Sequence, residues 1–184
     1  MLIGASTGGP GHLQKIVGKL PGDYNSVVIL AQHLGKEFMP SFVAQLQQRC
    51  ILPVIAATSG LKLKPGHVYV CSGSSHLDET GDDIELLVDP QRVPRYNPDI
   101  DYLFESAALL VGRYPSIGII LTGIGDDGAS GCLKLTEAGA QCYAEAESSA
   151  IVYGMPHRAA QLVTNIKIEP IEKLIDIIVE YGSA

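Results

Sequence analysis

Leu2-Ile3-Gly4-Ala5-Ser6-Thr7-Gly8-Gly9 opens the chain with a short apolar run that breaks into a glycine-rich turn. A helical pattern from His12 to Lys19 follows it, so the segment reads as strand, turn and helix. Further short, β-branched runs lie outward from it: Ser26 to Ala31, Pro53 to Ala56, Val68 to Cys71 and Ile117 to Leu121. Such runs suit strands buried on both faces of a parallel sheet. Amphipathic stretches separate them, at Met39 to Gln48, Ile100 to Val111, Ala129 to Ala138 and Pro170 to Tyr181. Ile84 to Val88, after the Thr80-Gly81-Asp82-Asp83 turn, reads as a strand of an edge hairpin. The alternation predicts an α/β fold: a doubly wound, mostly parallel sheet with helices on both faces and an antiparallel edge hairpin.

The 184 residues suit one domain, and no repeat, linker or low-complexity stretch divides them. Hydrophobic residues are 46% and charged residues 18%, enough for a real core in a soluble protein. No apolar run is long enough to span a bilayer, and no signal peptide precedes the first strand. Met1 leads directly into that strand, which reads as the boundary of an excised domain. Thirteen basic against twenty acidic residues give a charge of −7, which argues against nucleic acid as a partner. Cys50, Cys71, Cys132 and Cys142 form no C-x-x-C pair and read as buried thiols of a cytoplasmic protein.

Ligands of doubly wound sheets bind beyond the carboxyl ends of the strands. Three chemically suggestive segments fall there. Gly4-Ala5-Ser6-Thr7-Gly8 satisfies G-x-S-x-G at a strand-to-helix turn, which exposes Ser6 Oγ and aims free N–H groups at it. A phosphate-binding or purely connecting turn explains the same residues. A serine nucleophile needs a base near neutral pH. Of His12, His33, His67, His76 and His157, only His33 directly follows a strongly apolar strand on that rim. It could equally be a histidine that caps the strand. Leu121-Thr122-Gly123-Ile124-Gly125-Asp126-Asp127-Gly128 again ends a strand and opens a helix. One of its aspartates suits the group that accepts Nδ1–H of the base histidine. Metal binding by the pair and a helix N-cap are the alternatives. Met155 and Pro156, in Tyr153-Gly154-Met155-Pro156, either wall a substrate groove or pack a loop.

In their order, Gly4 to Gly9, Gln32-His33, Leu121 to Gly128 and Gly154-Met155-Pro156 resemble the catalytic domain of the chemotaxis protein-glutamate methylesterase CheB family. Pro98 to Ser106 resembles that family's segment leading into a long helix, and the likeness runs from Met1 to about Val179. The resemblance implies hydrolysis of glutamyl γ-methyl esters on the cytoplasmic helices of chemoreceptors, with release of methanol, and in many members deamidation of receptor glutamines. By position it makes Ser6 the nucleophile, His33 the base and Asp127 the orienting acid, with backbone N–H groups of Thr7 and Ile124 as oxyanion donors. No cofactor and no metal is implied. Residues 1–184 are then the catalytic domain, without the receiver domain that commonly blocks the site in this family. Ile124 replaces a usual methionine, Tyr96-Asn97 a more basic pair, and Glu145-Ala146 a usual Gln-Asp. His157-Arg158 stands where a single basic residue is more common. These departures leave the three catalytic positions intact and bear on receptor preference. The rival readings are a nucleotide- or phosphate-binding enzyme and a non-catalytic interaction module.

Overall fold

The computed structural model describes residues 1–183. The chain runs β1 (Leu2–Ala5), α1 (Gly9–Val17), β2 (Val27–Gln32), α2 (Met39–Gln47), β3 (Val54–Ala56), β4 (Leu61–Lys62) and β5 (His67–Val70). Then come β6 (Ser75–Thr80), β7 (Asp83–Val88), α3 (Ile100–Ala108), β8 (Ile117–Ile120) and α4 (Ala129–Glu137). It closes with β9 (Gln141–Glu145), α5 (Met155–Leu162), β10 (Lys167–Glu169) and α6 (Ile171–Gly182).

Seven strands form one parallel sheet in the order β10-β9-β8-β1-β2-β5-β3. The β-branched runs pair because each can bury both of its faces. Ile3, Ala5, Val28 and Leu30 turn to the layer of α1, α2 and α6. Leu2, Ile29 and Ile120 turn to the layer of α3, α4 and α5. This alternation is the period-two geometry of a strand. Full burial of each Ile or Leu stabilises the sheet by about 1.5–3 kcal/mol.

The hairpin of β6 and β7 joins β4 in a separate antiparallel sheet, ordered β4-β7-β6. Its Leu77 N–H donates to Ser106 Oγ on α3, which ties it to the helical layer rather than to the rim of the main sheet. Four elements go beyond the sequence reading. The short β4 pairs with β7, the strands β9 and β10 extend the sheet past β8, and α5 takes Met155 and Pro156 into its first turn. The chain turns outward from β1 in both directions, to β2 on one side and β8 on the other. The crevice above β1 is therefore the topological switch point, where doubly wound sheets bind ligands.

Candidate active site

Ser6 follows β1 directly and is half-buried. Its N–H donates to Thr122 C=O at 3.0 Å, and Gly9 N–H donates back to Ser6 C=O at 2.8 Å. Gly8, between them, has φ of 85° and caps α1. A left-handed turn favours glycine, and a Cβ here would lie 2.6 Å from Ile151 Cβ. The loop after β8 presses on the same turn. A Cβ on Gly123 would lie 2.7 Å from Ser6 Cβ and 2.3 Å from Met155 Sδ. Small residues at both strand ends thus let two turns meet above the switch point.

His33 follows β2, its N–H extending the ladder to Ala5 C=O at 2.9 Å. Its Nε2 lies 2.7 Å from Asp127 Oδ2. Asp127 is 3% exposed and also accepts Ile100 N–H on Oδ2 at 3.0 Å and Asp101 N–H on Oδ1 at 2.9 Å. Both donors belong to the first turn of α3, whose cap Asp99 accepts Tyr102 N–H at 3.0 Å. The positive end of α3 and two orphan N–H groups therefore hold the Asp127 carboxylate in place. Of the two adjacent aspartates, Asp127 meets His33, whereas Asp126 is exposed and accepts Tyr96 Oη at 3.1 Å.

The sequence reading assigned Nδ1–H to the aspartate, and the structure corrects it to Nε2. The reason lies in strand order. Asp127 follows β8, on the far side of β1 from His33. Neighbouring strands are about 4.8 Å apart, so the ring must span roughly two spacings and reaches Asp127 with its distal nitrogen. The proximal Nδ1 is left without a hydrogen-bond partner among the described residues; Ser6 stands at the end of the adjacent strand. Among these residues no hydrogen bond joins Ser6 Oγ to His33. Thr7 N–H and Ile124 N–H likewise have no partner among the described residues. Both residues are exposed.

Met155 and Pro156 do not stand on a groove wall. Both are buried at the start of α5, because proline suits a helix's first turn and Met155 fills the space under Gly123. A groove of about 270 Å³ does run beside His33, lined by Arg92, Arg95, Tyr96, Asp101, Asp126 and Asp127 among others. A larger cavity, about 780 Å³, lies between β6, α3 and α4 and shares Glu105 with that groove.

Three groups at the site escaped the sequence reading. Tyr96 stacks on His33 with ring centroids 4.9 Å apart and an interplanar angle of 6°. Arg95 lies 4.9 Å from the centroid of the Tyr96 ring and pairs with Asp126 at 3.3 Å. Desolvation, and then the Asp126 carboxylate, raise the Tyr96 phenol above its ordinary range. Asp101 accepts Gly131 N–H at 2.7 Å. Burial raises its carboxyl to about 6; the Gly131 hydrogen bond opposes this and the Asp127 charge adds to it. Behind Ser6, Glu145 is fully buried against His12 Nδ1 at 3.2 Å and accepts Thr122 N–H at 2.8 Å. Thr122 Oγ1 in turn donates to Thr7 C=O at 2.8 Å. The only available signal was the pair of departures, Tyr96 and Glu145, from the pattern the chain otherwise resembles. Among the described residues no group of three or more His, Cys, Asp or Glu side chains could hold a metal ion. No helix is long and apolar enough to cross a membrane among the same residues.

The site can thus present a hydroxyl at the positive end of a helix, an imidazole oriented by a carboxylate, and two free N–H groups. The family model described as CheB methylesterase matches residues 1–178. A protein-glutamate methylesterase/protein-glutamine glutaminase of Dechloromonas aromatica is 42% identical over 86% of this chain and 46% of its own length. One from Burkholderia lata is 40% identical over 95% of this chain and 48% of its own. The chain spans about half the length of these curated relatives. The CheB methylesterase catalytic domain of Thermotoga maritima superposes with a TM-score of 0.88 at 28% identity, covering 98% of this chain and 96% of that one.

Proposed function

The chain belongs to the CheB methylesterase family, and on that premise we propose that it hydrolyses glutamyl γ-methyl esters on cytoplasmic chemoreceptor helices, releasing methanol, and deamidates receptor glutamines. The observation that carries the reading is the 2.7 Å contact of His33 Nε2 with a buried Asp127, one strand spacing from Ser6. Residues 1–184 act as the catalytic domain in the cytoplasm.

Ser6 Oγ attacks the ester carbonyl while His33 Nδ1 takes its proton. Asp127 holds the ring through Nε2–H and balances the imidazolium that forms. Charge growing on the carbonyl oxygen meets the free N–H groups of Thr7 and Ile124; one such donor is worth about 2.7–4 kcal/mol in a hydrolase. The imidazolium then protonates the departing methoxide. Water, deprotonated by His33, releases the glutamate and restores Ser6. For a glutamine side chain the leaving group is ammonia.

Methanol release from methylated receptor membranes tests the reading, with Ser6→Ala beside the parent. The parent should release methanol and the variant almost none. Equal release by both would remove Ser6 from the reaction.

A further inference from the structure

Gln32 is the last residue of β2 and is 2% exposed. Alternation along the strand places it on the side of Val28 and Leu30, beneath the start of α1. Its cross-strand partner is Ala5, the residue before Ser6. The sheet ladder between these strands ends here: His33 N–H to Ala5 C=O is its last bond, and beyond it both chains leave the sheet. Gln32 Nε2 spans the gap. It donates to Ser6 C=O at 2.9 Å and to His33 C=O at 3.0 Å.

One amide NH2 has two hydrogens, so both are committed. The reverse orientation would set Oε1 against two carbonyl oxygens with no proton between them. As oriented, Oε1 is buried without a partner among the described residues, a cost that the two donated bonds must offset. Gly9 makes room for it, since a Cβ there would lie 2.1 Å from Oε1.

We propose that Gln32 is a positioning residue for the reaction, its amide NH2 tying the peptide of Ser6 to that of His33 so that nucleophile and base keep one separation. The proposal rests on the Ser6 and His33 roles given above. Gln32 touches no reacting atom and acts through the two residues it joins. A displacement of about 1 Å between reacting groups can slow chemistry on the order of 100-fold.

A fluorophosphonate that labels nucleophilic serines reads this directly. The second-order rate constant for labelling, and the fraction of molecules labelled at completion, are measured for the parent, Gln32→Met, Gln32→Glu and Ser6→Ala. Gln32→Met keeps the length and removes both donors. Its rate constant should fall roughly 10–100-fold while the labelled fraction stays that of the parent. Gln32→Glu can donate only when protonated, so its rate relative to the parent should fall as pH rises through the range where that acid ionises. A Gln32→Met rate within about threefold of the parent overturns the proposal, as does a loss seen only in the labelled fraction. Should Gln32→Met fail to fold, the pH profile of Gln32→Glu decides alone, and a flat ratio overturns the proposal. Equal labelling of parent and Ser6→Ala defeats the serine mechanism and the Gln32 role with it. Labelling at Ser6 that Gln32→Met leaves unchanged defeats the Gln32 role only.

Discussion

Asp127→Asn is the substitution whose outcome the geometry fixes most closely. The carboxylate accepts three hydrogen bonds: His33 Nε2 and Ile100 N–H on Oδ2, and Asp101 N–H on Oδ1. An amide has one oxygen, so either orientation sets an NH2 against a backbone N–H. If the NH2 replaces Oδ2, it donates to His33 Nε2 and drives the ring proton to Nδ1, which can then no longer take the Ser6 proton. If it replaces Oδ1, the ring keeps its tautomer and Asp101 N–H is stranded. In both cases the imidazolium loses its counter-charge. The expected loss in kcat/KM is on the order of 10³–10⁴, the scale seen when the aspartate of a Ser-His-Asp protease becomes asparagine. One orphaned backbone group should cost about 1–3 kcal/mol of stability, roughly 2–12 °C in Tm for a domain of this size. Hydrolysis of an activated ester and scanning calorimetry give the two numbers. A variant within about tenfold of the parent in kcat/KM, with unchanged Tm, would refute the account of Asp127.

Asp101 makes a pH prediction. Its carboxyl titrates near 6 in the fold against 3.8 unfolded, so the folded chain holds the extra proton between those values. Its contribution to stability is therefore full below 3.8 and lost as pH rises through 6. Asp101→Asn should gain Tm over the parent across that window and hold a constant advantage above it; a gap independent of pH would count against this. Tyr96→Leu removes the ring stacked on His33 and should lower kcat by roughly 2–10-fold, whereas Tyr96→Phe keeps the stack and most of the activity. Steady-state kinetics of the two variants separate stacking from the Asp126 hydrogen bond. Glu145→Ala strands His12 and Thr122 N–H in the core and should cost about 3–5 kcal/mol in chemical denaturation. A cost below about 1 kcal/mol would mean the pair is not structural.

The sequence made the sheet legible where apolar runs were continuous and β-branched, as at Val27 to Ala31 and Ile117 to Leu121. It hid β9, because Gln141 and Glu145 bound a run that holds only Cys142, Tyr143 and Ala144, and that run shows no clear period. It hid α5 behind Gly154 and Pro156, which punctuate loops as often as they open helices. It started α1 at His12 rather than Gly9, because a Gly-Gly-Pro-Gly stretch carries no apolar period. The three strand-end residues could be named singly. Which ring nitrogen meets Asp127 could not, since that depends on β1 lying between β2 and β8. Tyr96 sits in a loop, where no periodicity reports what a side chain covers. Gln32 was visible beside His33, but only the register with Ala5 shows what its amide joins.

The central claim is that the glutamyl side chain passes through an ester with Ser6. Acid quenching during turnover of a methylated receptor peptide, followed by mass spectrometry of the proteolysed enzyme, looks for that bond. The account predicts the peptide's mass, less methanol, on the fragment carrying Ser6, and its absence in Ser6→Ala. Methanol release with the adduct on another fragment would contradict it.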